Sequence, residues 1–377
     1  MIDYPWRGSV AIAGVGATRQ GVHDVDASHL GVEAFRRALD DAQIARDEID
    51  GILTARQFDG SGLEPKEFAR LIGVSPRVTA ALDYGTGGYT TQYAALLVAA
   101  GICNVVACIY ARNPSTEIGM ISGGAMYDGI YGYTNAAGLA ALSWSQYMAR
   151  YSPPETLLGL VAVTQRHNAR RNPLAANTEP LTMDDYLAQP HNVWPLRPLD
   201  IAHITGGGAA IIITTAKRVR GKGKRTVVFQ GMGRQDAPRR LQEHGYFACE
   251  GMRGAAEQVY QTAGLSPSDI DVLAVSDAST VAVVQTLENY GFCGAGEAGD
   301  FVAADSISAD GVLPVNTDGG QLSGGYLVGW LHQIELVNQL RGRAGERQVP
   351  NATVGQYCTT GGRREHFLST IYRVEED

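Results

Sequence analysis

The sequence predicts an α/β protein whose chain contains the same structural unit twice. Apolar, β-prone stretches alternate with glycine-rich loops and helices, which is typical of a wound sheet covered by helices. Residues 253–274 follow the pattern of residues 32–53, since both run from a helix through a short turn and an Asp-Ile-Asp or Glu-Ile-Asp step into a strand. Likewise, Gly324-Gly-Tyr326 mirrors Gly87-Gly-Tyr89 before a second buried helix. Such a repeat predicts two pseudo-symmetric halves with a shared cleft at their junction.

The first half is expected to alternate strands and helices. Its first helix places Phe35 and Leu39 on one apolar face. The glycine-rich loop Asp83-Tyr-Gly-Thr-Gly-Gly88 joins a short strand to the next helix. The predicted elements are a strand at 9–16, a helix at 29–42, a strand ending at 53, a strand at 78–82, a helix at 89–100 and a strand at 104–111.

The middle of the chain differs in composition from both halves. Residues 112–195 are rich in Tyr, Asn, Gly and Pro, with helical stretches near 137–151 and 156–170. We interpret this segment as an inserted lid-like region that covers a site. Strand character returns at 201–214. The predicted division is an N-terminal half at 1–111 and 196–245, an inserted region at 112–195 and a C-terminal half at 246–377.

Composition excludes several classes of function. The chain has 377 residues, of which 45% are hydrophobic, and this is enough to build two packed halves. The net charge of −8 argues against nucleic acid as a partner. The basic run 217–225 is expected to be a solvated loop between two strands, with a contact to a nucleotide phosphate as the alternative. The most membrane-like run, 94–111, is interrupted by Gly101 and Asn104, so we expect a helix end and a buried strand rather than a membrane span.

The cysteines predict neither disulfides nor a metal site. The chain has five, at spacings that match no zinc pattern. An odd number of unpatterned cysteines favours a reducing compartment. The first seven residues lack a basic region followed by an apolar one, so no signal peptide is predicted. We therefore expect a cytoplasmic protein.

The stretch from Pro314 to Gly329 is the strongest candidate for a functional loop. It contains five glycines in sixteen residues and precedes an apolar helix expected at 330–340. Glycines permit a tight loop, and a helix N-terminus carries free N–H groups and partial positive charge. Tyr326 stands at the point where this loop is expected to turn into the helix. We interpret it as the chemical centre, with a packed tyrosine at a helix start as the alternative.

Several separated motifs, in order along nearly the whole chain, resemble the thiolase superfamily and in particular its lipid-transfer-protein-type branch. The motifs that carry the resemblance are His167-Asn-Ala-Arg-Arg-Asn-Pro173, Pro195-Leu-Arg-Pro-Leu-Asp200, Gly206-Gly-Gly-Ala-Ala210, Gly291-Phe-Cys-Gly-Ala-Gly-Glu297, Leu313-Pro-Val-Asn-Thr317 and Gln339-Leu-Arg-Gly342. The resemblance implies a thiolase fold, with two βαβαβαββ halves in five αβαβα layers.

The sequence departs from a true thiolase at the positions that carry thiolase chemistry. Tyr84, or Gly85 if the register shifts by one, stands where thiolases have their nucleophilic cysteine. Tyr326 replaces the histidine of the Gly-His-Pro motif. This pattern resembles the steroid side-chain aldolases, which cleave a β-hydroxyacyl-CoA by a retro-aldol reaction. Those aldolases tend to have a second tyrosine where this chain has Ser276, so their two-tyrosine mechanism does not transfer whole.

The resemblance implies a set of site residues. Tyr326 is expected to act as the general base, because a helix end would lower the pKa of a phenol from its unperturbed value of about 10. The other catalytic candidates are Tyr84, Asp277 and Cys358; their alternatives are a packing residue, a helix cap and an idle relic of the family's C-terminal cysteine. The residues expected in the substrate or oxyanion loops, whose backbone N–H groups would stabilise an enolate, are Gly85, Gly87, Gly324, Gly325 and Ser276.

The resemblance also implies partners. We expect a homodimer formed by pairing of the strand near 104–111, joined to an OB-fold, zinc-ribbon protein in an α2β2 complex. Any zinc would belong to that partner, and no cofactor is expected in this chain. Two other functions are retained as alternatives: an acyl-CoA acyltransferase that uses Cys358, and a non-catalytic lipid or acyl-CoA carrier. His203, His332 and His366 have no partners that the sequence reveals.

Overall fold

The structure, a computed structural model, describes residues 4–56, 61–83, 87–114, 136–236, 247–359 and 366–375. The strands are β1 (Val10–Ala17), β2 (Gly51–Arg56), β3 (Val78–Asp83), β4 (Val105–Arg112), β5 (Gly207–Thr215), β6 (Val227–Asp236), β7 (Val272–Ser276), β8 (Val354–Thr359) and β9 (His366–Val374). The helices are α1 (Ala27–Ala42), α2 (Pro65–Ile72), α3 (Gly87–Ala99), α4 (Ala136–Tyr151), α5 (Leu157–Arg170), α6 (Met183–Leu187), α7 (Ala216–Val219), α8 (Glu250–Ala263), α9 (Thr280–Asn289), α10 (Ala298–Ala303) and α11 (Trp330–Leu340).

The described strands are hydrogen-bonded in the order β3-β2-β4-β5-β1-β6-β9-β8-β7, and each half of this order has the same pattern. β2 pairs in parallel with β4, as β7 does with β8, while β5 and β9 run antiparallel to their neighbours. Val315 forms a parallel bridge with Leu273 on β7, in the place that β3 occupies beside β2. The halves join where β1 pairs briefly with β6.

The predicted repeat is confirmed by two pairs of equivalent residues. The carboxylate of Asp50 accepts hydrogen bonds from the backbone N–H groups of Asn104 and Val105, which lead into β4. Asp271 does the same for the residues that lead into β8. In addition, a Cβ on Gly16 or on Gly233 would lie 2.2 Å from a carbonyl oxygen of α1 or α8, respectively. Both halves therefore need glycine where the first helix crosses the first strand.

The core shows how the layers stack. α1 packs on one face of β1, β4 and β5, and α8 packs on β6 and β9. α3 and α11 contact strands of both halves and each other. Their apolar residues form one buried cluster with the inner faces of the sheet, while separate clusters lie under α1 and under α8 with α9. The two glycine-preceded helices therefore form the middle layer between the halves, in agreement with the five-layer arrangement expected from the sequence.

Two expectations about the strands need correction. β4 lies between β2 and β5, so its backbone groups are already paired and it cannot form a subunit interface by strand pairing. β3, at the end of the described sheet, has a neighbour on one side. The segment 196–245, assigned from sequence to the N-terminal half, contains β6, which pairs with β9 along its whole length and with β1 at Ala11 and Ile12 alone.

The inserted region is described in part, since residues 115–135 lie outside the described ranges. α4 and α5 pack against α9, and α5 also contacts the loop before α11. The run 94–111 is the end of α3 followed by buried β4, as expected. Among the described helices, none has the length and apolar character needed to cross a bilayer.

The basic run lies between two strands, as predicted, but its first three residues belong to α7 rather than to a loop. Five of its six charged side chains are bonded within the protein. Lys222 donates to the carbonyl oxygens of Ala42 and Gln43 at the end of α1. Arg225 donates to Leu340 at the end of α11. Cations at helix C-termini satisfy the last carbonyl groups and the negative end of the helix dipole. This gives the run a structural role and no support for a phosphate contact.

Candidate active site

The loop before α11 is a tight turn followed by one π-helical turn, Gly320–Gly324. Gly319 and Gly320 have φ values of 97° and 60°, in the region that favours glycine. A Cβ on Gly320 would lie 2.4 Å from Oδ2 of Asp277. Glycine is therefore required here both for the left-handed backbone and for the close approach to a carboxylate. π-Helical turns are rare and occur frequently at functional sites.

Tyr326 lies in the middle layer between the halves. It is 9% exposed and belongs to the apolar cluster that includes the residues of α3 and α11. Its backbone N–H donates to Oγ1 of Thr205 at 2.8 Å. α11 begins four residues later, at Trp330, so Tyr326 precedes the first turn of the helix rather than forming part of it. The residue predicted as the chemical centre therefore lies at the junction of the halves.

Val328 joins the two glycine loops. Its carbonyl oxygen accepts a hydrogen bond of 2.9 Å from the N–H of Gly87, the first residue of α3. Val328 has φ of 47°, a left-handed conformation that is a genuine outlier for a β-branched residue. Backbone strain of this kind costs on the order of 1–3 kcal/mol and clusters at functional sites. The strained residue is two positions from Tyr326 and holds the start of α3 against it.

Asp277 is fully buried and anchors the π-helical turn. Its Oδ1 accepts from the N–H of Gln321 at 2.7 Å, and its Oδ2 accepts from Leu322 at 3.2 Å. Nε2 of His332, on the first turn of α11, lies 3.0 Å from the same Oδ1. Asp277 therefore ties β7, the turn and α11 together.

The contact with Asp277 changes the pKa of the buried His332 imidazole. Burial alone would lower the pKa of His332, but the hydrogen bond to Asp277 and the charges of Asp277 and Asp318 raise it above its ordinary value. His332 therefore gains a proton more readily than an isolated histidine. The pair supplies a buried, hydrogen-bonded support below the loop that carries Tyr326.

The described glycines expected to donate to an enolate already have acceptors. The N–H of Gly87 donates to Val328, that of Gly324 to Gly319 at 3.1 Å, and that of Gly325 to Gly320 at 3.0 Å. An N–H group that donates within the protein is not free to donate to a substrate oxygen, so this part of the expected oxyanion site is corrected. Tyr84 and Gly85 lie outside the described residues.

Ser276, at the end of β7, is buried beside the same turn. Its Oγ accepts a hydrogen bond from Nε2 of Gln321 at 3.3 Å. It thus helps to hold the turn from the strand side, next to Asp277. On the other side, Nε of Arg166 donates to Oγ of Ser323 at 2.9 Å. A cavity of about 80 Å³ opens there and is lined by Arg166, Thr205 and Gly325, among other residues.

Cys358 faces away from Tyr326. Alternation along β8 places Tyr357 in the central cluster and Cys358 in the cluster under α8 and α9. The thiol is fully buried, with Oγ of Ser369 at 3.5 Å. Burial raises the pKa of Cys358 to about 12. A buried, protonated thiol on the opposite face of the sheet gives no support to a catalytic role.

The structure brings two residues to this site, His332 and Thr205, whose partners could not be predicted from the sequence. His332 is 55 positions from Asp277 in the chain, and Thr205 is 121 positions from Tyr326. The sequence feature that could have pointed to His332 is its place as the third residue of an apolar helix that follows the glycine loop. Within the described residues, no group of three or more His, Cys, Asp or Glu side chains could hold a metal ion. None of the five cysteines, all in the described part, forms a disulfide.

The doubled sheet and the paired, glycine-preceded helices of the middle layer define a thiolase-fold protein. The family model described as "Thiolase C-terminal domain-like" matches residues 233–373. A solved structure described as "Ltp2-ChsH2(DUF35) aldolase" is 28% identical with a TM-score of 0.89, covering 99% of this chain and all of the other. Human mitochondrial 3-ketoacyl-CoA thiolase, at 13% identity and a TM-score of 0.71 over 99% of this chain and 100% of the other, shares the fold alone.

Two sequence relatives extend over most of both chains. The 17-hydroxy-3-oxo-4-pregnene-20-carboxyl-CoA lyase of Mycobacterium tuberculosis is 31% identical over 89% of this chain and 92% of its own. The steroid side-chain-cleaving aldolase of Thermomonospora curvata is 30% identical over 89% of this chain and 91% of its own. This chain belongs to the thiolase superfamily and, within it, to the aldolases, which are carbon–carbon lyases.

Proposed function

We propose that the protein cleaves a β-hydroxyacyl-CoA with a bulky, steroid-type acyl group. The products are a ketone or aldehyde and a short acyl-CoA such as propionyl-CoA. The two relatives described as a pregnene-carboxyl-CoA lyase and a steroid side-chain-cleaving aldolase support this class of substrate. The single observation that carries the chemistry is the placement of Tyr326, buried between the halves on a strained segment bonded to the start of α3.

The reaction needs a base and a stabilised enolate, and no covalent nucleophile. The base removes the proton of the β-hydroxyl group, the bond between Cα and Cβ breaks, and Cβ becomes the carbonyl carbon of the first product. The electron pair moves onto the thioester as an enolate, which is protonated at Cα to give the shorter acyl-CoA. Tyr326 is the proposed base. Tyr326 lies four residues before the N-terminus of α11, and the partial positive charge of a helix N-terminus stabilises negative charge that develops near it.

The proposed enolate donors are the backbone N–H groups of Leu327 and Val328. Both residues are buried next to Tyr326, and in the described part of the chain neither N–H group makes a hydrogen bond. Preorganised N–H groups in a site closed to water stabilise a developing oxyanion. This assignment replaces Gly87, Gly324 and Gly325, whose N–H groups already have acceptors. Asp277 and Ser276 act on the position of the loop and not on the substrate.

The acyltransferase alternative requires a thiolate at Cys358. That thiol is buried, its pKa is raised to about 12, and it lies in the cluster on the far face of β8. Thioester formation needs an exposed, ionised thiol next to the substrate. These properties favour the lyase.

The partner and the compartment are also proposals. The description of the "Ltp2-ChsH2(DUF35) aldolase" names a second protein, which supports a complex with a partner subunit. We propose that this partner is an OB-fold, zinc-ribbon protein in an α2β2 assembly, that it carries any zinc, and that this chain needs no cofactor. Since β4 is interior, the homodimer would form elsewhere on the surface. A cytoplasmic location is supported by five cysteines that form no disulfide.

The test removes only the hydroxyl group of Tyr326. Tyr326→Phe is expected to fold normally and to lose cleavage by roughly a hundred- to ten-thousand-fold, the usual effect of removing a general base. The assay measures the carbonyl product and the short acyl-CoA by mass spectrometry, with circular dichroism to verify folding. Tyr372→Phe is the matched control, because it also removes a buried hydroxyl group, here one that donates to Gln333. Turnover by Tyr326→Phe that matches the control would end the proposal.

A further inference from the structure

Arg166, on α5, is a buried cation beside the π-helical turn that precedes Tyr326. It is 7% exposed. Its Nε donates to Oγ of Ser323 at 2.9 Å, and its Nη1 donates to the backbone carbonyl oxygen of Glu179 at 3.2 Å. A guanidinium group has five N–H donors. Within the described part of the chain, these two bonds leave Arg166 with donors for a further acceptor.

The positive charge of Arg166 has no counter-ion at close range. Among the described residues, no carboxylate lies within 4.0 Å of its guanidinium group, whereas the similarly buried Arg197 pairs with Glu155. Burial lowers the pKa of Arg166, and the more distant charge of Glu179 opposes this. Buried charges are normally paired, because an isolated charge is costly to remove from water. The unpaired guanidinium therefore indicates that negative charge reaches it from outside the chain.

Arg166 lines the cavity of about 80 Å³ that reaches the segment of Tyr326. Thr205, which accepts the N–H of Tyr326, and Gly325, the residue before it, lie in the same wall. Whole small-molecule ligands fill pockets of roughly 300–1,000 Å³. The cavity therefore suits one functional group of a larger substrate, such as its thioester, next to the segment that carries the proposed base.

A second polar group in this wall lacks a partner. Gln321 is 3% exposed, and its Oε1 is buried without a hydrogen bond in the part of the chain that the structure describes, while its Nε2 donates to Ser276. An unbonded buried acceptor is costly, so a group that enters the cavity is expected to bring a donor. A CoA thioester carries such a donor, the amide N–H of its arm near the sulfur.

We propose that Arg166 is a further catalytic residue, which donates to the thioester carbonyl oxygen and balances the negative charge that this oxygen gains as the enolate forms. The inference rests on the proposed function and adds a charged donor to the N–H groups of Leu327 and Val328. As the bond between Cα and Cβ breaks, the electron pair moves onto this oxygen, and the guanidinium group stays protonated throughout. A cation that is fixed before the reaction stabilises such a charge more strongly in a dry site than in water.

The first experiment removes the charge of Arg166 and measures cleavage. In Arg166→Met we expect kcat to fall by roughly a hundred- to a thousandfold, as for the loss of an oxyanion donor, with little change in KM. Arg166→Lys should lose less, because it keeps the charge without the planar fork. Arg197→Met is the matched control, since it also removes a buried guanidinium group, here one outside the cavity lining, and it should cleave as wild type does.

The second experiment separates recognition of charge from loss of shape. S-carboxymethyl-CoA carries a carboxylate near the position of the thioester carbonyl, and S-ethyl-CoA is its neutral counterpart. By titration calorimetry, Arg166→Met should weaken binding of S-carboxymethyl-CoA by roughly ten- to a hundredfold and leave binding of S-ethyl-CoA unchanged, because a charge-assisted hydrogen bond is lost. Ser323→Ala removes the partner of Arg166 in the turn but not its charge, so it should keep the preference for the carboxylate.

Two outcomes would overturn the inference. One is wild-type kcat in Arg166→Met. The other is an equal fall of kcat in Arg166→Met and Ser323→Ala with the preference for the carboxylate retained in both, which would show that Arg166 acts only by holding the turn. Either result leaves the proposed function in place as long as Tyr326→Phe loses cleavage, whereas no cleavage by wild type contradicts the function itself.

Discussion

Oδ1 of Asp277 and Nε2 of His332 lie 3.0 Å apart with both side chains buried, and this pair fixes the loop that carries Tyr326. Asp277 also receives two backbone N–H groups of the π-helical turn. Such a carboxylate cannot be replaced by a group with fewer acceptor positions without leaving a buried donor unbonded. The position of the loop that carries Tyr326 is therefore sensitive to substitutions at Asp277 and His332.

Asp277→Asn keeps the shape of the side chain but replaces one acceptor oxygen with a donor. At least one of the three buried donors then loses its partner, which costs about 1–3 kcal/mol. We expect a lower melting temperature and a lower kcat with a smaller change in KM, because the loop and its tyrosine are displaced. Asp200→Asn is the matched control, since Asp200 is equally buried but bonds to Tyr186 and Thr280. A kcat that falls equally in both variants would argue against a specific effect on the loop.

Because the pKa of His332 is raised, we expect the stability of the protein to depend on pH. Its pKa is raised in the folded state above the unfolded value of about 6.5. The protonated pair with Asp277 therefore stabilises the fold fully below about pH 6.5, and this stabilisation is lost as the pH rises through the folded-state pKa. We expect the melting temperature of wild type to exceed that of His332→Gln by more at low pH than at high pH. Parallel melting curves for the two proteins across this range would contradict the assignment.

At Val328, the left-handed backbone should reverse the usual order of stability, in which an alanine variant is more stable than a glycine variant. At φ of 47°, glycine avoids the penalty that a Cβ carries, so Val328→Gly should be more stable than Val328→Ala by about 1 kcal/mol. Val337 is the control, because it is buried within α11, where glycine is about 1 kcal/mol worse than alanine. The measurement is the urea midpoint of the four variants. The same order at both positions would show that Val328 is not strained.

Cys358→Ala tests the rival chemistry. We expect cleavage close to wild type, because the thiol lies on the far face of β8 with its pKa raised to about 12. In the native protein at pH 8, iodoacetamide should leave Cys358 unmodified, as found by peptide mapping. Cys249→Ala, another buried cysteine of the same cluster, is the control for packing loss. An acyl adduct trapped on Cys358 would instead support the acyltransferase.

The sequence alone predicted the doubled α/β architecture, the glycine-rich loop before α11 and the position of Tyr326 where thiolases have a histidine. These features are local, since they depend on hydrophobic period, on glycine spacing and on a motif read along the chain. Helix bounds such as Trp330–Leu340 were predicted for the same reason. The repeat also aligned Asp50 with Asp271, and the structure then showed that both carboxylates make the same backbone hydrogen bonds.

Only the tertiary structure decided what surrounds Tyr326. The bond from Asp277 to His332 joins residues 55 positions apart, and the bond from Gly87 to Val328 joins the two halves. Neither leaves a periodic signal, because each depends on how the halves pack. The face on which Cys358 points was set by the register of β8, since a shift of one residue would reverse it. From the sequence, the glycine N–H groups were predicted to donate to a substrate. In the folded protein they donate to backbone carbonyl groups instead, because buried backbone donors must be bonded.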